Sequence, residues 1–444
     1  MSMRTEANLL HDSGAAYRRR VGLIDGQGGL IFAGIKPGVF SLYLGEEPHY
    51  HFDLEGRWQR ICLDGVHYLK ALDGSASALE RVREGQAMVM RRRPVRYTEL
   101  SDLDETARQV AVDLLEKLGD KSLTLSNPPE PALPLKMAEL VDLLDRVCRN
   151  DAAAWFRNRE IFLRIYGSKP DWFLPPSCPQ PIVLSVSRTG AAPGGWVWDS
   201  GQESVMLSDE ELEKHCVAIS KFLGRRATQA RGIVLADGEV LRGEASRILG
   251  WLKTIARVFP LEATGLPRKL SDRPVDEPFL DGIYSFLNGP GGQLPDTQGW
   301  QALQAAHLRR VEVGVVSGDP QVRLRHGLGW ADADLEQLIA NLKQAGIAAG
   351  LVVPVGAGGT EYASQHVELT CRLLNALPLA AGDLVYLVDL NEIAGADAAS
   401  MLEERGLTPL PEAAQEAQKQ ALREALAPLK ERKVKVVPYT IEKQ

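Results

Sequence analysis

From Ile182 to Tyr439 the chain alternates short apolar runs with longer segments of helical spacing, and that alternation limits the folds open to it. Ile182–Ser187 reads as a continuous apolar run, as a strand covered on both faces would. Ser208-Asp-Glu-Glu211 then forms a capping box. Behind it, Leu212, Cys216, Ile219 and Leu223 share one helical face, and Gly224 suits the helix stop. Further strands read at Gly232–Ala236, 282–287, Val311–Val316, Ala348–Val355 and Asp383–Asp389. Helices read at Glu244–Phe259, 297–306, Asp332–Ala345 and 361–376. The six strand–helix steps imply parallel strands joined by right-handed crossovers, and hence an α/β fold. A charged helix at 411–431 and a strand at Val434–Tyr439 close the series.

The N-terminal part has a different period. Residues 21 to about 100 carry short alternating runs separated by turn signals at 45–48, 54–56, Asp64-Gly65 and Asp73-Gly74. Asp-Gly between two such runs marks a hairpin, because both central residues of a type I′ turn need positive φ. An antiparallel meander of about five strands is expected. Asp104 to Leu118 has helical spacing (Ala107, Val110, Leu114, Leu115, Leu118) and stops at Gly119. Residues 126–135 are proline-rich, which propagates neither helix nor inner strand. Two helices follow, near 136–149 and 151–166, before another extended Pro-rich segment at 171–181. The expected units are therefore 1–120, a β-meander domain with one helix; 121–180, a linker with a helical segment; and 181–444, the α/β part.

A length of 444 residues is too great for one ordinary domain. With 45% hydrophobic and 25% charged residues, the chain has the composition of a soluble globular protein. The net charge of −7 argues against a general nucleic-acid binder, which leaves a small molecule or a protein as the expected partner. No apolar run is long enough to span a bilayer, and Met1–Arg20 has no apolar core of a secretory signal. The five cysteines (62, 148, 178, 216 and 371) are scattered and odd in number. That pattern reads as reduced thiols in a cytoplasm.

In parallel α/β folds, chemistry gathers at the C-terminal ends of the strands. Four such ends carry glycine or small polar residues: Ser185-Val-Ser-Arg-Thr-Gly190, Leu235-Ala-Asp-Gly-Glu239, Val313-Gly-Val-Val-Ser-Gly-Asp319 and Pro354-Val-Gly-Ala-Gly-Gly359. Together with Arg310–Val322, Leu342-Lys-Gln-Ala-Gly-Ile347 and Lys435-Val-Val-Pro-Tyr439, this series resembles the radical S-adenosylmethionine (SAM) enzymes over about 260 residues. The resemblance implies a partial (β/α)6 TIM-like barrel behind an N-terminal antiparallel β domain and a helical linker. It also implies SAM as a ligand, with Asp237, Gly238, Glu239, Ser317, Gly318, Gly356 and Gly358 as its binding positions.

The departures are specific. The family carries C-x3-C-x2-C after its first strand, and here Ala191, Gly195 and Trp198 fall in those places. None is a thiolate, so no [4Fe–4S] cluster is expected there. The family's fourth-strand glutamate is Val316. The reading is a catalytically degenerate, radical-SAM-like protein, a pseudoenzyme that acts by binding. The alternatives are an enzyme using SAM or a related nucleotide for non-radical chemistry, and a non-catalytic subunit of a cluster-bearing relative. Elsewhere, His49, His51 and Asp53 alternate on one strand face, with His67 nearby. Imidazoles two apart on a strand suit a shared metal, although a solvated polar face is the commoner meaning. The basic run Arg91-Arg92-Arg93-Pro-Val-Arg96, with Arg81 and Arg83, suits an acidic partner or a protected sheet edge.

Overall fold

The computed structural model describes residues 17–26, 28–84, 87–126, 133–167, 174–175, 177–178, 180–187, 205–236, 240–262, 277–390 and 398–439. It contains two sheets, one antiparallel and one parallel.

The N-terminal sheet is larger than the five strands expected. Eight strands form a continuous meander: β1 (Arg19–Asp25), β2 (Leu30–Lys36), β3 (Val39–Leu44), β4 (His49–Asp53), β5 (Trp58–Leu63), β6 (Val66–Lys70), β7 (Ala76–Glu84) and β8 (Ala87–Pro94). The Asp64-Gly65 turn is as read, with φ of 53° and 73°. The additional strands arise from reversals between Asp25 and Leu30, at Pro37-Gly38, and between β7 and β8. These joins are so short that neighbouring strands read as one run. The segment read as a linker also supplies strands. β9 (Leu123–Ser126) pairs antiparallel with β1, and β10 (Leu133–Pro134) pairs parallel with its other end.

One face of this sheet is the domain core. Val21, Leu23, Ile35, Phe40, Leu42, Tyr50, Phe52 and Ile61 pack there against α1 (Tyr97–Gly119) and α2 (Met137–Cys148). On α1 the buried residues are Leu103, Ala107, Ala111 and Leu114, and on α2 they are Leu140, Leu143, Leu144 and Val147. These are single stripes at helical spacing. α3 (Ala152–Tyr166) follows, capped by Asp151, whose side chain accepts from Ala154 N.

The second sheet has seven parallel strands in sequence order: β11 (Ile182–Leu184), β12 (Ile233–Leu235), β13 (Ile283–Leu287), β14 (Leu308–Gly314), β15 (Ala348–Val355), β16 (Leu384–Asp389) and β17 (Lys435–Tyr439). Its helices are α4 (Asp209–Leu223), α5 (Ala245–Val258), α6 (Thr297–Ala305), α7 (Pro320–Arg325), α8 (Asp332–Gln344), α9 (Ala363–Ala376), α10 (Ala398–Glu404) and α11 (Glu412–Ala425). The capping box of α4 forms as read, with Ser208 N donating to Glu211 Oε2 at 2.9 Å. Consecutive order with crossovers of one hand sends the connecting helices to one face. Ile233, Val311, Val313, Leu351, Val353 and Leu387 line that outer face against α4, α5, α6, α8, α9 and α11. The opposite, inner face carries Val183, Val234, Tyr284, Phe286, Val352, Tyr386 and Val388. Leu174 and Cys178, from the segment ahead of β11, pack onto it.

A buried arginine joins the two sheets. Arg57, in the turn after β4, donates from Nε to Asp53 Oδ2 at 2.7 Å. Its other nitrogens donate to the carbonyls of Phe222 and Leu223, both at 3.0 Å. Those are the last residues of α4, where carbonyls have no intrahelical partner and a cation is favoured. Gly38 and Gly224 permit the approach, and Gly56 packs the same turn against α2. A Cβ on Gly38 would lie 2.6 Å from Gln229 N, one on Gly56 2.4 Å from Arg146 C, and one on Gly224 2.5 Å from Glu55 Oε1. All three also have positive φ. Arg57→Met is expected to cost about 3 kcal/mol or more in urea denaturation, since Asp53 would stay buried and lose its partner. A loss under about 1 kcal/mol would mean that Arg226, 3.7 Å from Asp53, takes over the pairing.

Candidate functional site

The inner face is apolar except at one place. Glu312 sits in the middle of β14 and is fully buried. Its Oε1 accepts from the Ser177 hydroxyl at 3.1 Å and from the Tyr386 hydroxyl at 3.4 Å. Arg310 Nε lies 3.8 Å away. Oε2 has no hydrogen-bond partner among the described residues. The carboxyl lies over β15, where its cross-strand partner is Gly350. A Cβ there would meet Oε2, so any larger residue would push the carboxyl out of this position. Burial pushes the Glu312 carboxyl up to about 7, against the opposing pull of Arg310, Ser177 and Tyr386. A group of that kind can hold or release a proton near neutral pH. The sequence signal for it is a carboxylate inside the otherwise apolar run Val311–Val316, which is not among the candidate residues read from the sequence.

The end of β14 is strained. Val316 has φ of 62°, unusual for a β-branched residue, and Ser317 N donates back to Val315 O at 2.7 Å. This is a γ-turn of the rarer hand. It turns Val316 into the apolar inner cluster. Immediately after it, Ser317 is fully buried and engaged on several sides. Its Oγ lies 2.9 Å from His366 Nδ1 on α9 and accepts from Asp319 N at 3.0 Å. Gly318 N donates to Thr370 Oγ1 at 2.8 Å, and a Cβ at Gly318 would be 2.3 Å from Leu369 O. Asp319 caps α7 through Gln321 N. Arg323 donates to the carbonyls of both Ser317 and Gly318.

The β15 end is held in a similar way. Gly356 has φ of 88° and donates from N to Gln418 Oε1 at 2.8 Å. Gly358 lies under Tyr362, 3.1 Å from where its Cβ would be, and its carbonyl accepts from Tyr362 N. His326 Nε2 lies 2.8 Å from Ala357 O, while Arg405 donates to its Nδ1 at 2.7 Å. Those partners fix the tautomer with the proton on Nε2. Burial lowers both His326 and His366 to about 4. The described polar contacts of Ser317, Gly318, Gly356 and Gly358 thus all go to the protein itself. Asp237, Gly238 and Glu239, and the positions Ala191, Gly195 and Trp198, lie outside the described residues.

The donor set does not fit a [4Fe–4S] cluster. All five cysteines are described, none is in a disulfide, and they lie on separate elements. Cys62 is on β5 and Cys148 ends α2. Cys178 packs on the inner face. Cys216 and Cys371 belong to the outer core, where burial pushes their thiols up to about 12 and about 11. A cluster needs several thiolates converging on one point.

The expected metal positions of the N-terminal sheet also have other partners. His51 Nδ1 lies 2.8 Å from Ser41 Oγ, His67 Nδ1 lies 3.1 Å from Cys62 Sγ, and the His49 ring packs 4.4 Å from that of Tyr43. Among the described residues no group of three His, Cys, Asp or Glu side chains is arranged to hold a metal ion. No described helix is long and apolar enough to cross a membrane.

No protein-family model matches the chain, and no curated protein matches it. Among solved structures it is similar to Elp3 of the archaeon Methanocaldococcus infernus with an N-terminal deletion, at 12% identity and a TM-score of 0.38. That match covers 58% of this chain and 55% of the other. It is also similar to HydG, a maturase of the [FeFe]-hydrogenase, at 13% identity and a TM-score of 0.35, covering 73% and 63%. The chain therefore spans less than two thirds of either. Likeness at this level carries no argument for fold or chemistry.

The Glu312 carboxyl makes a pH-dependent contribution whose sign is set. Its folded value near 7 lies above the roughly 4.3 of an unfolded glutamate. Between those values the folded state keeps a proton that the unfolded state has lost, so stability falls as pH rises through the window. The loss is roughly 3 kcal/mol and is complete above about pH 7. His326 and His366 act with the opposite sign over part of the same range. The difference between Glu312→Gln and the parent chain isolates the carboxyl. In urea titrations, the variant is expected to gain on the parent from about pH 4.5 to about pH 7 and then to stay ahead. Parallel curves would remove Glu312 as the source.

Proposed function

We propose that residues 182–439 form an open (β/α)6 barrel of the radical SAM type that lacks its cluster, and that the protein acts by binding a small molecule or a protein partner rather than by radical chemistry. The observation that carries this reading is the placement of the thiols. The loop after β11 has no cysteine in the sequence, and the five that exist are distributed over β5, α2, the inner face, α4 and α9. Thiols held outside disulfides also suit a reducing compartment such as the cytoplasm.

The family's glutamate position supports the same reading. Val316 adds to the inner apolar cluster, together with Leu174 and Tyr439. On this reading the inner face is a packed interior, with Glu312 as the one carboxyl among its described strand positions. Ligand contact then falls to the strand ends. The four described candidate positions there make polar contacts within the protein, and Asp237, Gly238 and Glu239 are the further positions that the resemblance offers for SAM or a related nucleotide.

Iron and acid-labile sulfide measured after anaerobic reconstitution test the proposal. The expected result is close to none of either per chain, with no cleavage of SAM under reducing conditions. About four irons per chain, with SAM cleavage, would overturn it. A thermal-shift titration with SAM separates simple binding from chemistry: saturation at a hundredfold above Kd adds about 2.7 kcal/mol.

A further inference from the structure

The second face of the N-terminal sheet, opposite its core, holds a set of charges that the net charge conceals. Cross-strand pairing places His49, Cys62, His67, Leu79 and Arg92 in one row over β4 to β8. His51 and Arg60 stand in the next row on one side, and Arg81, two residues past Leu79 on β7, lies on the other side. Tyr43 on β3 continues the first row, and Lys36 on β2 lies on the same face. From β2 to β8 no strand position on this face is acidic except Asp53, at the end of β4, which is paired with Arg57.

Four of the cations have no carboxylate partner among the described residues. Arg60, Arg81 and Arg92 are exposed. Lys36 is half-buried, and its ammonium lies 5.7 Å over the Tyr17 ring. Arg93, on the other face of the same β7–β8 ribbon, is by contrast held by both Glu80 and Glu99. Arg60 Nη2 lies 2.9 Å from His67 Nδ1, and the cations also act on one another and on the rings between them. Burial, then Lys36 and Arg60, lowers His51 to about 3, and burial followed by Arg60 lowers His67. Glu47, in the turn before β4, accepts from Gly65 N.

We propose that this face binds single-stranded nucleic acid. From Lys36 on β2 to Arg92 on β8 there are six strand spacings, roughly 29 Å, which suits a chain of phosphates rather than one anion. Between the cations stand the partly exposed rings of Tyr43, His49 and His67. The histidines are neutral at pH 7, so they offer flat surfaces for bases without adding charge. Cations that track a backbone, interleaved with rings for stacking, are how sequence-tolerant single-strand binding is built. An acidic peptide would use the cations and leave the rings idle. A net charge of −7 constrains the average surface and not this face. The inference is independent of the barrel and its missing cluster.

The test is equilibrium binding of a dye-labelled single-stranded RNA and a matching DNA, each of about a dozen nucleotides, to the full chain between about 50 and about 300 mM salt. Log affinity is expected to fall linearly with log salt. Arg60→Ala, Arg81→Ala and Arg92→Ala combined should weaken binding roughly tenfold or more and flatten the slope by about 0.7 per contacting residue. Lysine at the same three positions should restore most of the slope. His67→Ala should weaken binding and leave the slope unchanged. A melting curve confirms that these exposed substitutions leave the fold intact. No saturable binding at low salt would overturn the proposal. So would binding that ignores the triple variant, or a polyglutamate peptide of equal charge binding more tightly than either oligonucleotide.

Discussion

Arg57 and the end of α4 hold the two halves of this protein in one arrangement. The guanidinium carries three directed hydrogen bonds, one to Asp53 and two to the final carbonyls of the helix. A helix C-terminus presents carbonyls that need donors and a partial negative charge that favours a cation, and one buried arginine answers both needs. Its own charge is balanced by Asp53, itself fixed by the backbone N–H groups of Glu55 and Arg57. Around it, Glu55 accepts from Arg225 N, and Gln229 donates to Gly38 O. The glycines at 38 and 224 are where side chains would keep these segments apart. The hairpin turn of one sheet is thereby the C-cap of a helix on the other.

With that joint fixed, each sheet has one face committed to a core, and the two remaining faces differ in kind. The inner face of the parallel sheet is sealed, with aromatic and β-branched side chains from most of its strands closing around a single buried carboxyl. Gly350 admits that carboxyl, and Ser177 and Tyr386 partly satisfy it. At the strand ends, Ser317 and His366 lock one loop, while His326 and Arg405 lock the next. Burial keeps both imidazoles neutral, so these contacts behave as fixed polar staples at physiological pH. The strain at Val316 is held in place by the same contacts.

The other free face is open and cationic. It shows why a whole-chain charge is a poor guide to what a surface can meet. Acidic side chains outnumber basic ones over the chain, 58 to 51, yet none of the face's strand-interior positions between β2 and β8 is acidic. An alternating strand sorts its residues strictly between two faces, so a modest bias in sequence becomes a one-sided field in space.

Local pattern alone determined the strand and helix alternation after residue 180. It placed β15 at Ala348–Val355, the capping box at Ser208–Glu211 and the positive-φ pair at Asp64-Gly65. These follow from interactions within a few residues, where period and propensity speak directly. The same reasoning under-read the meander, because the turn at Pro37-Gly38 is too short to interrupt the apolar pattern on either side. What only the tertiary structure decided are the encounters between distant residues. Arg57 meets carbonyls more than 160 residues away, Glu312 meets Ser177 and Tyr386, and Ser317 meets His366. Burial, charge pairing and pKa depend on what the folded chain brings close, and no sequence spacing carries that information.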